Sequence, residues 1–225
     1  MTVIVAVDGP AGSGKSSVSK EVARRLGFSY LDTGAGYRCV TWLGIHRGVD
    51  FGDESQLVAL VSDVAGSSPL DPDNQRIVLD GVDVTGAIRD QRITERVSEV
   101  AAMMAVREAL NIGFRAVADG VSTPGIIIEG RDITTVVAPD APVRVLLTAS
   151  EDVRMARREK DASSTENTQT MAARDQKDSK VVDFMAPARG VHVLDTTHLD
   201  FEQSVQALLD RVAEAYLASG ESSHE

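Results

Sequence analysis

Residues 9–17 read GPAGSGKSS and follow directly on the apolar run VIVAV at 3–7. Three glycines, three serines and a lysine packed together ask for a backbone that turns tightly. The run before them is short and rich in β-branched residues, which predicts a buried strand. Behind them, Lys15–Leu26 places apolar residues at Val18, Val22, Ala23 and Leu26, a helical spacing that Gly27 closes. Strand, loop and helix in that order match G-x-x-x-x-G-K-S, with Gly9, Gly14, Lys15 and Ser16 at the fixed positions. Such a loop curls so that successive N–H groups face phosphate oxygens, and the helix adds the partial positive charge of its N-terminus. Lys15 is placed to reach the β- and γ-phosphates, and the Ser16 hydroxyl to join the shell of a Mg²⁺ ion. The expected ATP-binding segment is the whole loop: Gly9, Pro10, Ala11, Gly12, Ser13, Gly14, Lys15, Ser16 and Ser17.

Further out, short apolar runs at Ile126–Glu129, Val143–Thr148 and, more weakly, Val191–Leu194 alternate with helical or polar sequence. That pattern predicts an α/β fold with a parallel sheet flanked by helices. Residues 67–90 carry Pro and Asp-Gly turn signals around short alternating runs, which predicts a small antiparallel insertion. Residues 159–183 are polar and charged, as in a solvated helix or a mobile lid. Phe201–Leu217 reads as an amphipathic closing helix, and SGESSHE after it as a disordered tail.

The chain has 225 residues, 43% hydrophobic and 25% charged, the composition of one ordinary globular unit. Its net charge of −11 argues against a nucleic-acid or membrane partner, since both are polyanionic. A small anionic substrate stays open, because a pocket can be locally basic. One cysteine, Cys39, allows neither an internal disulfide nor a cysteine metal cluster. The start has no basic region or cleavage site of a signal peptide, so the expectation is a cytoplasmic protein.

The glycine loop alone does not name a reaction. Motors, GTP switches and small-molecule kinases share it, and no N-K-x-D-like element for a GTP switch is present. The acceptor has to be read elsewhere. YLDTGAGYR, residues 30–38, and EGRD, residues 129–132, both fall at strand ends, where open α/β sheets bind ligands. Thr33, Tyr37 and Arg38 offer hydroxyl donors and a bidentate guanidinium for a phosphate. The residues alone leave plainer roles open: a surface ion pair for Arg131 and Asp132, a solvated helix face for Arg107, packing for Tyr37. They leave core positions open for Cys39 and Trp42, and turn capping or loop and Mg²⁺ ordering for Asp8.

VDGPAGSGKSS, YLDTGAGYR, LDGVDVTGAIR, VSEVAAMMAVREAL, EGRDITTVVAPDAPVRVLLTAS and ARDQKDS run in order along the chain. In these stretches the chain resembles the bacterial cytidylate kinases, in the nucleoside-monophosphate kinase group of P-loop kinases. The resemblance implies transfer of the γ-phosphoryl group of ATP to CMP or dCMP with Mg²⁺, by a monomer. It implies a core of about 1–35, 100–158 and 190–218, an acceptor-side region with insertion at about 36–99, and a lid at about 159–183. It gives Ser98, Arg107 and Asp132 to cytosine, and Tyr37, Arg38 and Arg131 to the acceptor phosphate. Arg174 and Asp178 fall to the sugar and the transferring phosphate, and Lys15, Arg131 and Arg174 form the catalytic set. The chain departs from the family in three places, one of them Glu129, which stands where some members carry Asp. The lid pattern R-D-x-x-D-x-x-R ends here on Val181, with Lys180 one residue earlier, and Thr134 stands where glycine is common. Another small-molecule P-loop kinase, or a nucleotide-dependent regulatory module, are the competing readings.

Overall fold

The apolar run at the start forms strand β1 (Val3–Asp8). Alternation along it sorts the core into two halves: Val5 and Val7 join one buried cluster and Ala6 the other. The computed structural model describes residues 2–160 and 186–221. Within them β2 (Ser29–Asp32), β5 (Gly125–Gly130), β6 (Val143–Thr148) and β7 (His192–Asp195) build a sheet around β1. The order is β2-β5-β1-β6-β7 and every pairing is parallel. Isoleucines 126 and 128 face one cluster and Ile127 the other, all at most 1% exposed. A sheet covered on both faces reads as such a continuous apolar run.

Helices α1 (Lys15–Leu26) and α8 (Phe201–Glu221) cover one face through Val18, Val22, Val205 and Leu208. The other face carries α2 (Thr33–His46), α3 (Glu54–Ala59), α4 (Val61–Ala65), α5 (Gln91–Ala102) and α6 (Met104–Asp119). Leu43, Leu57, Val64, Val100 and Leu110 pack from them into one cluster. Helix α7 (Glu151–Lys160) follows β6 at the carboxyl edge.

The predicted elements are found. Helix α1 has the expected bounds, and its Gly27 cap is left-handed at φ 64. The expected antiparallel insertion is the hairpin of β3 (Val78–Leu79) and β4 (Val82–Asp83). The weak run at 191–194 is β7, displaced by one residue. The closing helix runs on to Glu221, through the first three residues of the expected tail. Nearly all of the expected lid, and residues 222–225, lie outside the described residues. Ile133–Val137 was not anticipated as regular structure. It forms a π-helical turn, with the Ala138 amide donating to the Ile133 carbonyl at 2.8 Å.

Candidate active site

β1, β2 and β5 release the chain side by side at one edge of the sheet. From β1 comes the glycine loop. Gly12 and Gly14 hold left-handed backbone, φ 74 and 93. A Cβ on Gly12 would stand 2.6 Å from the Arg154 carbonyl oxygen, so nothing larger fits. Helix α7 braces the loop from behind: Arg154 Nη1 donates to the Ala11 carbonyl at 3.0 Å, and Arg157 Nη1 to the Ser13 carbonyl at 2.9 Å. Arg157 Nη2 also holds the segment after β7 through the Thr196 carbonyl, at 2.8 Å. The Ser13 hydroxyl is buried without a hydrogen-bond partner, a donor left over for an anion in the loop.

The cleft opens on two sides of Lys15 and Ser16. One limb runs past Lys20 and Arg157 to Leu199 and Phe201. The other runs past Thr33, Tyr37 and Arg38 to Ser98, Arg107 and Asp132. In this second limb Lys15, Arg38, Arg89, Arg107, Arg131 and Arg158 stand against the three carboxyls of Asp32, Glu129 and Asp132. An acidic protein thus carries a locally cationic cleft, which suits phosphorylated ligands.

Tertiary contacts set the acceptor limb. The buried Asp132 pairs with Arg107 Nη2 of α6. Burial raises its carboxyl above the usual carboxylate range, with the Arg107 charge opposing. Arg107 Nη1 donates to the Ala101 carbonyl at 3.0 Å, which fixes the guanidinium plane. Arg38 Nη1 donates to Thr94 Oγ1 at 2.8 Å and to the Ile88 carbonyl at 3.1 Å. Arg131 Nη1 donates to the Gly9 carbonyl at 3.0 Å. Tyr37 lies against Phe114, with ring centroids 6.3 Å apart.

Under Lys15 and Ser16 lie Asp32 and Glu129, on the adjacent strands β2 and β5. Tyr30, wholly buried, donates to Glu129 Oε1 at 2.5 Å, while Oε2 accepts no hydrogen bond. Burial raises the Glu129 carboxyl, and the Asp32 charge raises it further. Burial also acts on Asp32, but Arg89, the Ala35 amide, Lys15 and Lys20 outweigh it and hold that carboxyl low. Asp32 is therefore the readier of the two to ionise.

Comparison with known proteins agrees with this geometry. The profile of the family described as cytidylate kinase matches residues 5–214. The cytidylate kinase of Cutibacterium acnes is 43% identical over 218 residues, covering 93% of this chain and 96% of the relative. Those of Streptomyces griseus and Limosilactobacillus fermentum are 41% and 40% identical, covering 94% and 92% of this chain and 93% and 94% of the relatives. The chain belongs to the cytidylate kinase family.

In this cytidylate-kinase chain, Thr33, Tyr37, Arg38, Ser98, Arg107, Arg131 and Asp132 all line one limb, although they come from four separate elements. Arg131 and Asp132 do not pair with each other at the surface, and Arg107 is buried rather than solvated. Trp42 and Cys39 are core residues. The single proton of the Thr33 hydroxyl goes to the Glu129 carbonyl at 2.8 Å, so it is not offered to a phosphate in this conformation. Arg174, Asp178, Lys180 and Val181 lie outside the described residues. The sequence reading gave no role to Asp32 or Arg89, which pair at 3.3 Å, nor to Arg154, Arg157 and Arg158. The α7 trio had a readable signal: positions i, i+3 and i+4 of one helix share a face.

Proposed function

We propose that this cleft transfers the γ-phosphoryl group of ATP to CMP or dCMP, giving ADP and CDP or dCDP. One observation carries the reading: the buried Asp132–Arg107 pair stands at the end of the limb that begins at Lys15. Cytosine offers an exocyclic amine donor beside N3 and O2 acceptors; a carboxylate takes the amine and an arginine serves the acceptors. Uracil has an oxygen where cytosine has the amine, and would face Asp132 repulsively.

ATP enters with its phosphates in the glycine loop and its nucleoside in the limb beside Arg157 and Leu199. The acceptor phosphate sits among Tyr37, Arg38 and Arg131. One of its oxygens, already anionic at neutral pH, forms a bond to the γ-phosphorus as the β–γ bridging bond breaks, and the electron pair leaves on ADP. No general base is required. The protein's part is alignment and charge neutralisation by Lys15 and the arginines.

The residues present fit Mg²⁺. Glu129 has a buried oxygen without a hydrogen bond, and Ser16 and Asp32 line the same floor. Magnesium prefers such oxygen donors and keeps several waters. Ser16, Asp32 and Glu129 would hold it, and it would neutralise charge on the transferring phosphates.

The division into core, acceptor-side region and lid belongs to this reading, as do roles for Arg174 and Asp178 at the sugar and the transferring phosphate. So do a monomeric state and a cytoplasmic place. No helix among the described residues is long and apolar enough to cross a membrane. A coupled ADP-release assay across CMP, dCMP, UMP, AMP and shikimate tests the function. Faster turnover of UMP or AMP than of CMP would sink the cytosine assignment. ATP binding with no CDP formed at any CMP concentration would favour a regulatory module.

A further inference from the structure

Asp8 ends β1 one residue before the glycine loop, and its carboxylate is turned to a different segment. It is 3% exposed. Oδ1 accepts from the Ile133 amide at 2.8 Å; Oδ2 accepts from the Thr134 amide at 2.9 Å and the Thr134 hydroxyl at 2.6 Å. All three donors open the π-helical turn that follows Asp132. Contact is returned next door, where the Gly9 carbonyl accepts from Arg131. The far end of the turn is held from α6: Arg115 donates to the Val136 and Val137 carbonyls at 2.6 and 3.0 Å. Arg144 of β6 donates to the Thr134 carbonyl at 3.3 Å. π turns are uncommon and persist where their surroundings over-determine them.

We propose that Asp8 is a positioning residue for acceptor recognition, tying the turn that presents Arg131 and Asp132 to the base of the glycine loop. Asp8 lines neither limb and acts through the backbone of Ile133 and Thr134. Thr134 adds its hydroxyl to the tie, where a glycine would supply the amide alone. The inference rests on the cytidylate reading above and extends it to a residue outside the ligand's reach.

The test compares wild type with Asp8→Asn, Thr134→Val and Thr134→Ser. It measures KM and kcat for CMP, UMP and ATP, and backbone hydrogen exchange over residues 130–137. Losing one charge-assisted hydrogen bond in Thr134→Val is expected to raise KM for CMP roughly fivefold to tenfold, and Asp8→Asn to raise it more. The CMP-to-UMP preference falls with it, KM for ATP stays within about twofold, and exchange in the turn quickens. Thr134→Ser restores the wild-type values. Thr134→Val keeps the idea testable should Asp8→Asn fail to fold. Unchanged exchange in Thr134→Val overturns the tie. An equal rise of KM for ATP and CMP, with the preference intact, reduces Asp8 to a structural part and also overturns it. A wild-type enzyme without CMP preference would instead sink the cytidylate reading, and shows before any variant is made.

Discussion

On one side of Lys15 the groups proposed to hold the ligand come from nine consecutive residues, 9–17. On the other they come from α2, α5, α6 and the turn after β5, spread between residues 33 and 132. The donor side is mostly backbone, shaped by left-handed glycines and braced by two arginines. The acceptor side is mostly side chains, each held by a partner from another element. A backbone cradle grips any triphosphate; an assembly of side chains can tell one base from another. Damage to the first should therefore be indiscriminate, and damage to the second selective.

The largest effect tests the first half of that contrast. Lys15→Ala should lower kcat with every acceptor by roughly a thousandfold, since it removes charge stabilisation where the phosphoryl group moves. A loss confined to CMP in the ADP-release assay would break the comparison. Asp132→Ala should act the other way, lowering the CMP-to-UMP preference roughly a hundredfold while Lys15 still supports turnover. It also leaves the Arg107 charge uncompensated. A urea titration should show about 3 kcal/mol of lost stability, the usual effect of breaking a buried ion pair from one side. Selectivity lost equally in Lys15→Ala and Asp132→Ala would erase the division of labour.

These two sides were also unequally legible. The setting of the glycine loop was legible because its signals are local: spacing, glycines and flanking strand and helix all sit within 24 residues, from Val3 to Leu26. Strands β1, β5 and β6 were legible for the same reason, being short apolar runs rich in β-branched residues. The second limb was legible in part: Thr33, Tyr37 and Arg38 offered a phosphate site on the residues alone, whereas Ser98 and a base-reading role for Arg107 and Asp132 came from the resemblance. In the sequence alone, Arg107 has the look of any solvated helix arginine, and nothing local announces that Asp132 will meet it. Arg89 and the α7 arginines have none of the roles that the resemblance implies. Their roles depend on α7 lying behind the loop and on the short turn after β4 lying over Asp32. Asp8 was open between two roles because both need the same strand end. Only packing of the Ile133–Val137 turn against β1 decides for the cap.

Smaller effects sharpen the picture beneath the cleft. Tyr30→Phe removes the hydrogen bond that the buried Tyr30 hydroxyl donates to Glu129 Oε1. With Tyr30 wholly buried though Glu129 borders the cleft, it should cost about 1 kcal/mol of stability, read by urea titration, while the ranking of acceptors stays as in wild type. A changed ranking would mean that the floor, and not only the acceptor wall, discriminates between bases. The smallest expected effect is on Cys39, whose thiol burial pushes up to about 12, with the Asp32 charge assisting. At pH 8 a disulfide reagent should leave it unmodified in the folded enzyme and label it on unfolding. Rapid labelling of the native protein would show that the acceptor wall opens far more than its packing implies.

In the parallel ladder between β1 and β5, Asp8 lies opposite Gly130. The next residue on one strand opens the phosphate cradle, and the next on the other is Arg131. The base of the glycine loop and the base of the turn that presents Arg131 are therefore held a single inter-strand spacing of about 4.8 Å apart, a length that no hinge can stretch. An insertion of one residue at either strand end would misalign the reaction, whereas the hairpin at 78–83 could lengthen without moving it.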